Sequence, residues 1–426
     1  MPDGSSTAHL YRPKLLTVLS EGYDLAALRR DAAAGLTVAV VALPLSLAIA
    51  VASGVTPERG LYAAIIGGLV VSLLGGSRFQ IGGPAGAFIV LVAATVARFG
   101  LDGLLLTVML SGILLALAGA LRIGSLIRHV PQAVTVGFTA AIAIVILASQ
   151  LKDLGGLRLA GAEPGPLLPK LAVLGAALPS VNAWALSVGL TCAALIWLLR
   201  SLRPNWPGML IAISAASAAT YLLQLPVETI GSRFGAFSGM LPAPHLPHIS
   251  IARLTELLPA TLSFTLLGGV ESLLSARIAD GMSGRQHRSN MELVAQGLAN
   301  IASALFGGIA VTGTIARTAT NIRAGAQSPV AGILHALFLL LFLVAAAPLA
   351  AFIPLSALAG MLLVVCWNMA EKHEFSRMLR RWRSATILLA TFLLTLAFDL
   401  ATGIIAGCLL SWLTAGASRL ASLRPD

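Results

Sequence analysis

The sequence predicts an all-α polytopic membrane protein of 14 transmembrane segments arranged as a 7+7 inverted repeat. Three observations carry this expectation. Of 426 residues, 57% are hydrophobic and only 11% charged, with a mean hydropathy of +0.90; a soluble domain of this length needs far more charge to cover its surface. About twenty apolar residues cross a bilayer as a helix, and windows of that kind recur along nearly the whole chain. Finally, one segment in each half is broken by Gly, Pro or Thr at a matching place, a pattern that points to the binding site of inverted-repeat transporters.

Residues 1–30 are polar and mixed in charge, lack the apolar core of a cleavable signal, and read as a cytoplasmic leader. A first repeat over 31–223 holds spans at 32–51, 60–74, 81–97, 104–121, 134–151, 183–199 and 208–223. The apolar stretch 167–178 lies between Pro166 and Pro179, is too short to cross, and belongs at the interface. Residues 224–252 form an extracellular loop containing Pro and His. A second repeat over 253–419 holds spans at 257–278, 293–309, 311–323, 329–347, 354–369, 385–397 and 400–415, and 420–426 is a cytoplasmic tail. An odd number of spans per half makes the second half run through the membrane opposite to the first.

The charges agree with this threading. Twenty of the 28 Lys and Arg fall on the side of the N-terminus and seven on the other, with Arg317 alone at mid-membrane. That bias sets both termini in the cytoplasm of a cell whose inner (plasma) membrane holds the protein. It also accounts for the net charge of +11 without a nucleic-acid partner, since the bases are scattered over short loops. The densest cluster, 372–383, reads as a topology determinant. Cys192, Cys366 and Cys408 lie within apolar stretches and read as packing residues, with neither metal spacing nor a disulfide partner.

The third spans of the two halves carry the chemistry. Residues 311–325 read VTGTIARTATNIRAG, too short and polar for an ordinary crossing. Thr312, Gly313 and Thr314 suit an extended stretch that becomes a helix near Ile315. Such a start leaves backbone N–H groups without intrahelical partners at the positive end of the helix dipole. Lipid cannot satisfy them, so the stretch must line protein or a water-filled cavity. Arg317 adds a full positive charge one turn in, and an anion is the partner this arrangement favours. The matching span opens IGGPAGAF from Ile81, with Gly82, Gly83, Pro84 and Gly86. Proline suits a first helical turn and the glycines allow an extended approach. The two half-helices enter from opposite sides, so their N-termini face each other near the midplane.

Other intramembrane polar residues rank by cost. Glu271 in span 8 is a functional candidate as a proton carrier, a cation ligand or a partner to Arg317. Arg277 and Asp280 read as an interfacial pair, Asp399 as a helix N-terminal carboxylate, His287 as a solvated loop residue and His335 as a packed one. Pro44 kinks span 1 beside the site. No nucleophile with a base, metal-ligand spacing or phosphate loop is present, so neither an enzyme nor a cofactor is expected.

At these residues the chain resembles the sulfate permease family of anion transporters. The resemblance lies in ALPLSLAIAVASGV at 42–55, GLYAAIIGGLVVSLLGGSRFQIGGPAGAF at 60–88 and ESLLSARIADGMSGRQHRSNMELVAQGLANI at 271–301. It continues in LFGGIAVTGTIARTATNIRAG at 305–325 and IPLSALAGMLLVVCWNMAEKHEF at 353–375. It implies a core domain of spans 1–4 and 8–11 that moves against a gate domain of spans 5–7 and 12–14. By motif position the anion site maps onto Pro84, Ala85, Gly86, Thr314, Ile315, Ala316 and Arg317, with Leu45 and Ile49 of span 1 alongside. The acidic coupling residue maps onto Glu271, with Ser275 one turn later. Many members have Gln where Leu45 stands, which removes one polar contact; Ser46 follows it. Members usually continue into a STAS domain after the last span, and this sequence ends at Asp426, about where that domain would begin. The resemblance also implies a homodimer. Because sodium-coupled bicarbonate members tend to have Asp at the position of Glu271, proton coupling or exchange is expected over sodium. The expected function is secondary transport of a small anion of the sulfate, bicarbonate or C4-dicarboxylate class. A nucleobase–proton symporter of the same architecture and a non-cycling anion channel are the alternatives.

Overall fold

Long apolar runs in lipid must close their backbone hydrogen bonds internally, and nearly every element of the chain is helical. A computed structural model describes residues 11–124, 131–161, 163–164, 167–204, 206–235, 239–398 and 400–421. Its elements in the first half are α1 (Lys14–Glu21), α2 (Leu25–Ala52), α3 (Pro57–Leu74), β1 (Gly82–Gly83), α4 (Ile89–Ala120), α5 (Gln132–Gly155), α6 (Leu167–Ala176), α7 (Ala183–Leu202), α8 (Gly208–Leu222) and α9 (Ile230–Phe234). The second half adds α10 (Ile251–Ser283), α11 (Ser289–Leu305), β2 (Thr312–Gly313), α12 (Ile315–Arg323), α13 (Val330–Ala350), α14 (Leu355–Met369), α15 (Lys372–Leu379), α16 (Trp382–Ala397) and α17 (Leu400–Ala421).

Among the described residues, eight helices are long and apolar enough to cross a membrane: α2, α3, α4 with the turn before it, α5, α7, α10, α13, and α14 continued through α15. Several expected crossings take another form. The expected spans 81–97 and 104–121 join end to end in α4 across a break at Gly100, whose φ of 68° suits glycine. The expected span 293–309 is the 17-residue α11, and 311–323 is two strand residues followed by the nine-residue α12. The apolar stretch after Pro166 forms the ten-residue α6. Asp399 lies outside the described residues.

Part of the expected leader is helical. The first long helix starts at Leu25, where Asp24 caps it by accepting from Ala27 N at 2.7 Å. Ahead of it, α1 docks on the membrane helices. The N–H of Lys14 donates to Gly75 O at 2.9 Å, and Arg78 pairs with Glu21 at 2.6 Å.

Small residues set the packing. Gly112 of α4 and Gly297 of α11 face each other: a Cβ on either would lie 2.6 Å or less from the other's carbonyl oxygen. Gly189 of α7 and Gly360 of α14 cross just as closely, a Cβ on Gly360 coming within 2.1 Å of Gly189 O. The helices thereby fall into two sets. Helices α2–α4 and α10–α13 pack mainly on one another, as do α5, α7, α8, α14, α16 and α17. Two buried carboxylates then fix loops of the first set. Asp31 accepts from Gln327 N at 2.7 Å and from Tyr23 OH at 2.8 Å, while Glu292 accepts from Gly76 N at 2.8 Å and Ser77 N at 3.0 Å.

Candidate functional site

The two broken segments meet. Strands β1 and β2 pair antiparallel, Gly82 opposite Gly313 and Gly83 opposite Thr312, and Thr314 N donates to Ile81 O at 3.1 Å. Extended backbone inside a membrane protein needs partners for every peptide group, and neighbouring helices supply them. Asn300 of α11 grips Val311 at both ends, accepting from its N–H at 2.9 Å and donating to its carbonyl at 2.7 Å. Ser272 of α10 hydrogen-bonds the Thr312 hydroxyl at 2.7 Å and accepts from Gly313 N at 3.3 Å. From α12, Thr318 accepts from Ile81 N at 3.1 Å and Asn321 donates to Phe79 O at 2.9 Å.

A helix begins just beyond each strand. Residues Gly86–Phe88 form a 3-10 turn leading into α4, and α12 starts at Ile315; neither start has a side-chain cap. The first-turn N–H groups of both therefore lack intrahelical acceptors, and each helix presents the positive end of its dipole.

Arg317 crosses between the two. It is 1% exposed, and its Nη2 donates to Pro84 O at 2.8 Å, with the Ser46 hydroxyl at 3.4 Å. Its Nε and Nη1 have no hydrogen-bond partner. Among the described residues no ion pair neutralises it. Gly83 makes room for the guanidinium, since a Cβ there would lie 2.1 Å from Nη1. A buried cation with unused donors is costly when isolated, so the arrangement suits an anion that completes it.

The expected site residues divide by exposure. Pro84, Ala85 and Thr314 are buried, Gly86 and Ile315 half-buried, and Ala316 exposed. Leu45 and Ile49 are buried in the core; Ser46, next to Leu45, is the residue that reaches Arg317. Glu271 is half-buried, and its Oε2 is shielded without a partner. No ion pair joins Glu271 to Arg317 among the described residues, so that one of its three expected roles is not formed. Ser275 is fully buried and donates to Thr318 at 3.4 Å, which makes it a support for α12. Sequence reasoning took Gly83 only as part of an extended approach and Ser46 only as the neighbour of Leu45, and it did not find Ser272, Asn300 or Thr318. Their only signal was a polar or glycine position inside an apolar window.

The lone histidines differ. His287 is not a freely solvated loop residue; its ring lies 2.6 Å from Asp280 Oδ2 and 3.0 Å from the Ser289 hydroxyl. His335 is fully buried, with neither ring nitrogen hydrogen-bonded.

A cavity of about 1200 Å³ opens between the two helix sets. Its wall includes neither Arg317 nor Glu271 and reaches inward to Ile89 and Val90, the turn after Gly86–Phe88. The unsatisfied donors, not this volume, mark the candidate site, and the cavity forms a vestibule-like space beside it. Ile146 of α5 and Met369 of α14 come nearest to Gly86, each 3.8 Å from where its Cβ would be.

Comparison with known proteins follows the same lines. The model of the sulfate permease family matches residues 28–394. The "Putative sulfate transporter YvdB" of Bacillus subtilis is 41% identical over 394 residues, covering 92% of this chain and 74% of that protein. The bicarbonate transporter BicA of a Picosynechococcus species is 30% identical over 396 residues, covering 89% of this chain and 69% of that protein. The solved transmembrane domain of a cyanobacterial BicA superposes with a TM-score of 0.79 at 29% identity, covering 91% of this chain and 98% of that one. With the family model spanning most of its length, this chain belongs to the sulfate permease family of membrane anion transporters.

Proposed function

We propose that the protein is a secondary active transporter that moves a small anion by alternating access, coupled to protons or by anion exchange. The observation that carries this reading is Arg317, buried without a counter-ion among the described residues and with two nitrogens unpartnered, between two uncapped helix starts. Sulfate and bicarbonate stand first as substrates, because relatives at 41% and 30% identity are named for them; C4-dicarboxylates complete the class. Arg317 and the first-turn N–H groups bind the anion. Glu271, whose shielded Oε2 has no partner, carries the coupling proton.

The architecture of this reading is fourteen crossings in two inverted repeats, both termini in the cytoplasm, in the plasma membrane and as a homodimer. Matched contacts support the repeat. At the start of α3, Arg59 donates to Gly307 O at 2.7 Å and accepts from Ile309 N at 3.4 Å. At the start of α11, Arg288 N donates to Gly76 O at 2.9 Å. Each contact joins the beginning of one second span to the loop before the other half's broken span. The two packing sets correspond to core and gate, with Gly86, Ile146 and Met369 at their seam.

Replacing Arg317 by Ala tests the site in proteoliposomes. Completing a buried cation is worth several kcal/mol, against about 0.5–1.5 kcal/mol for a neutral hydrogen bond, so uptake should fall by about 100-fold or more. Uptake of labelled sulfate and bicarbonate at two pH values, with and without sodium, identifies anion and coupling ion. Wild-type uptake of both by the Ala variant refutes the assignment. Acceleration of labelled uptake by internal unlabelled anion separates a carrier from a channel.

A further inference from the structure

The vestibule has a cation of its own. Lys170 stands on the otherwise apolar α6 and lines the cavity with its side chain 7% exposed. Its Nζ donates to the Ser149 hydroxyl at 2.5 Å and to Glu163 Oε1 at 2.8 Å. An ammonium has three donors, so one is left for the cavity. A buried ion pair is a poor way to stabilise a helix, since apolar side chains of similar volume serve as well or better. The partner is also the more accessible member, Glu163 being 24% exposed.

The other charges of the vestibule favour anions. Arg233 is neutralised by Asp153 at 2.7 Å and by Glu228. Lys152 and Arg158 also line the cavity, and no ion pair among the described residues holds either of them. Their field raises the local concentration of anions. The inner wall at Ile89 and Val90 ends one turn from the bare helix start at Gly86.

We propose that Lys170 forms a second anion-binding station in the vestibule, taking a small inorganic anion, at which the Glu163 carboxylate holds the place until an anion displaces it. The station would feed the central site, and in that purpose it rests on the transport reading; its binding can be measured separately. The measurement is chloride binding to the purified full-length chain, followed by the chlorine-35 NMR line width. In Arg317→Ala, line broadening that saturates with chloride should persist. In Arg317→Ala/Lys170→Gln it should vanish, and Lys170→Arg should restore it. Glu163→Gln, which removes the competing carboxylate, should tighten chloride by about three- to tenfold. The proposal is overturned if Arg317→Ala alone abolishes the broadening, if the double variant matches Arg317→Ala, or if Glu163→Gln binds no tighter than wild type. A failure of the central site looks different: Arg317→Ala would leave the wild-type signal whole while Lys170→Gln removed it.

Discussion

Adding one methyl group at Gly83 should disable the site without touching a charged residue. The Cβ of Gly83→Ala would lie 2.1 Å from Arg317 Nη1 and 3.2 Å from Cζ. Non-bonded heavy atoms settle at about 3.5 Å or more, so Nη1 must retreat by over an ångström. Gly83 also has a φ of +156°, which adds backbone strain to any side chain placed there. The retreat breaks the 2.8 Å bond from Nη2 to Pro84 O; hydrogen bonds from charged donors are worth about 1.5–3 kcal/mol. A misplacement of about 1 Å at a site costs on the order of 100-fold in rate. Uptake of labelled sulfate or bicarbonate by Gly83→Ala proteoliposomes should therefore fall between about tenfold and 100-fold. Size-exclusion elution and the melting temperature should remain those of a folded protein. A variant that is folded and transports both anions at the wild-type rate refutes the argument that this glycine positions the guanidinium.

Other expectations follow from groups around the same site. Glu271→Gln keeps size and shape but cannot carry a proton, and its shielded Oε2 loses no partner; the variant should fold normally while its uptake loses the pH dependence of the wild type, as read from uptake profiles between pH 5.5 and 8.5, and a retained profile assigns coupling elsewhere. Asn300→Ala strips both peptide groups of Val311 of their partners; at about 1–3 kcal/mol for each buried group left unsatisfied, the melting temperature should drop clearly, and an unchanged value means that another group satisfies the strand.

Much of this site was legible because lipid forbids what water tolerates. Thr312, Gly313 and Thr314 in one half and Gly82, Gly83 and Pro84 in the other have no place in a lipid-facing helix. Their positions alone therefore foretold an extended backbone, and Arg317 pointed to a negatively charged ligand. What the sequence concealed is which side chains complete those stretches. Ser46 and Arg317 are 271 positions apart, and Asn321 reaches back 242 to Phe79; no spacing rule relates such pairs. Leu45 drew attention through family position, but it is buried in apolar packing, and the polar contact comes from the next residue. The pairing of Lys170 with Glu163 was hidden likewise, since α6 presents as a short apolar interfacial helix. The docking of the leader was hidden for another reason: its mixed charge gave no hint that Glu21 and Lys14 find partners on the loop between α3 and β1.

The short ladder joining Gly82 and Gly83 to Thr312 and Gly313 has a mechanical implication. Two chain segments from separate halves of the sequence are riveted together at the site proposed for the anion. Prying their tips apart would strip peptide groups of partners in a place with no water to replace them. On the transport reading proposed above, movement would instead concentrate where Gly86 lies near Ile146 and Met369, a contact of carbon and sulfur that can be undone and remade cheaply. Cargo and clamp would then travel as a single rigid piece past a stationary wall.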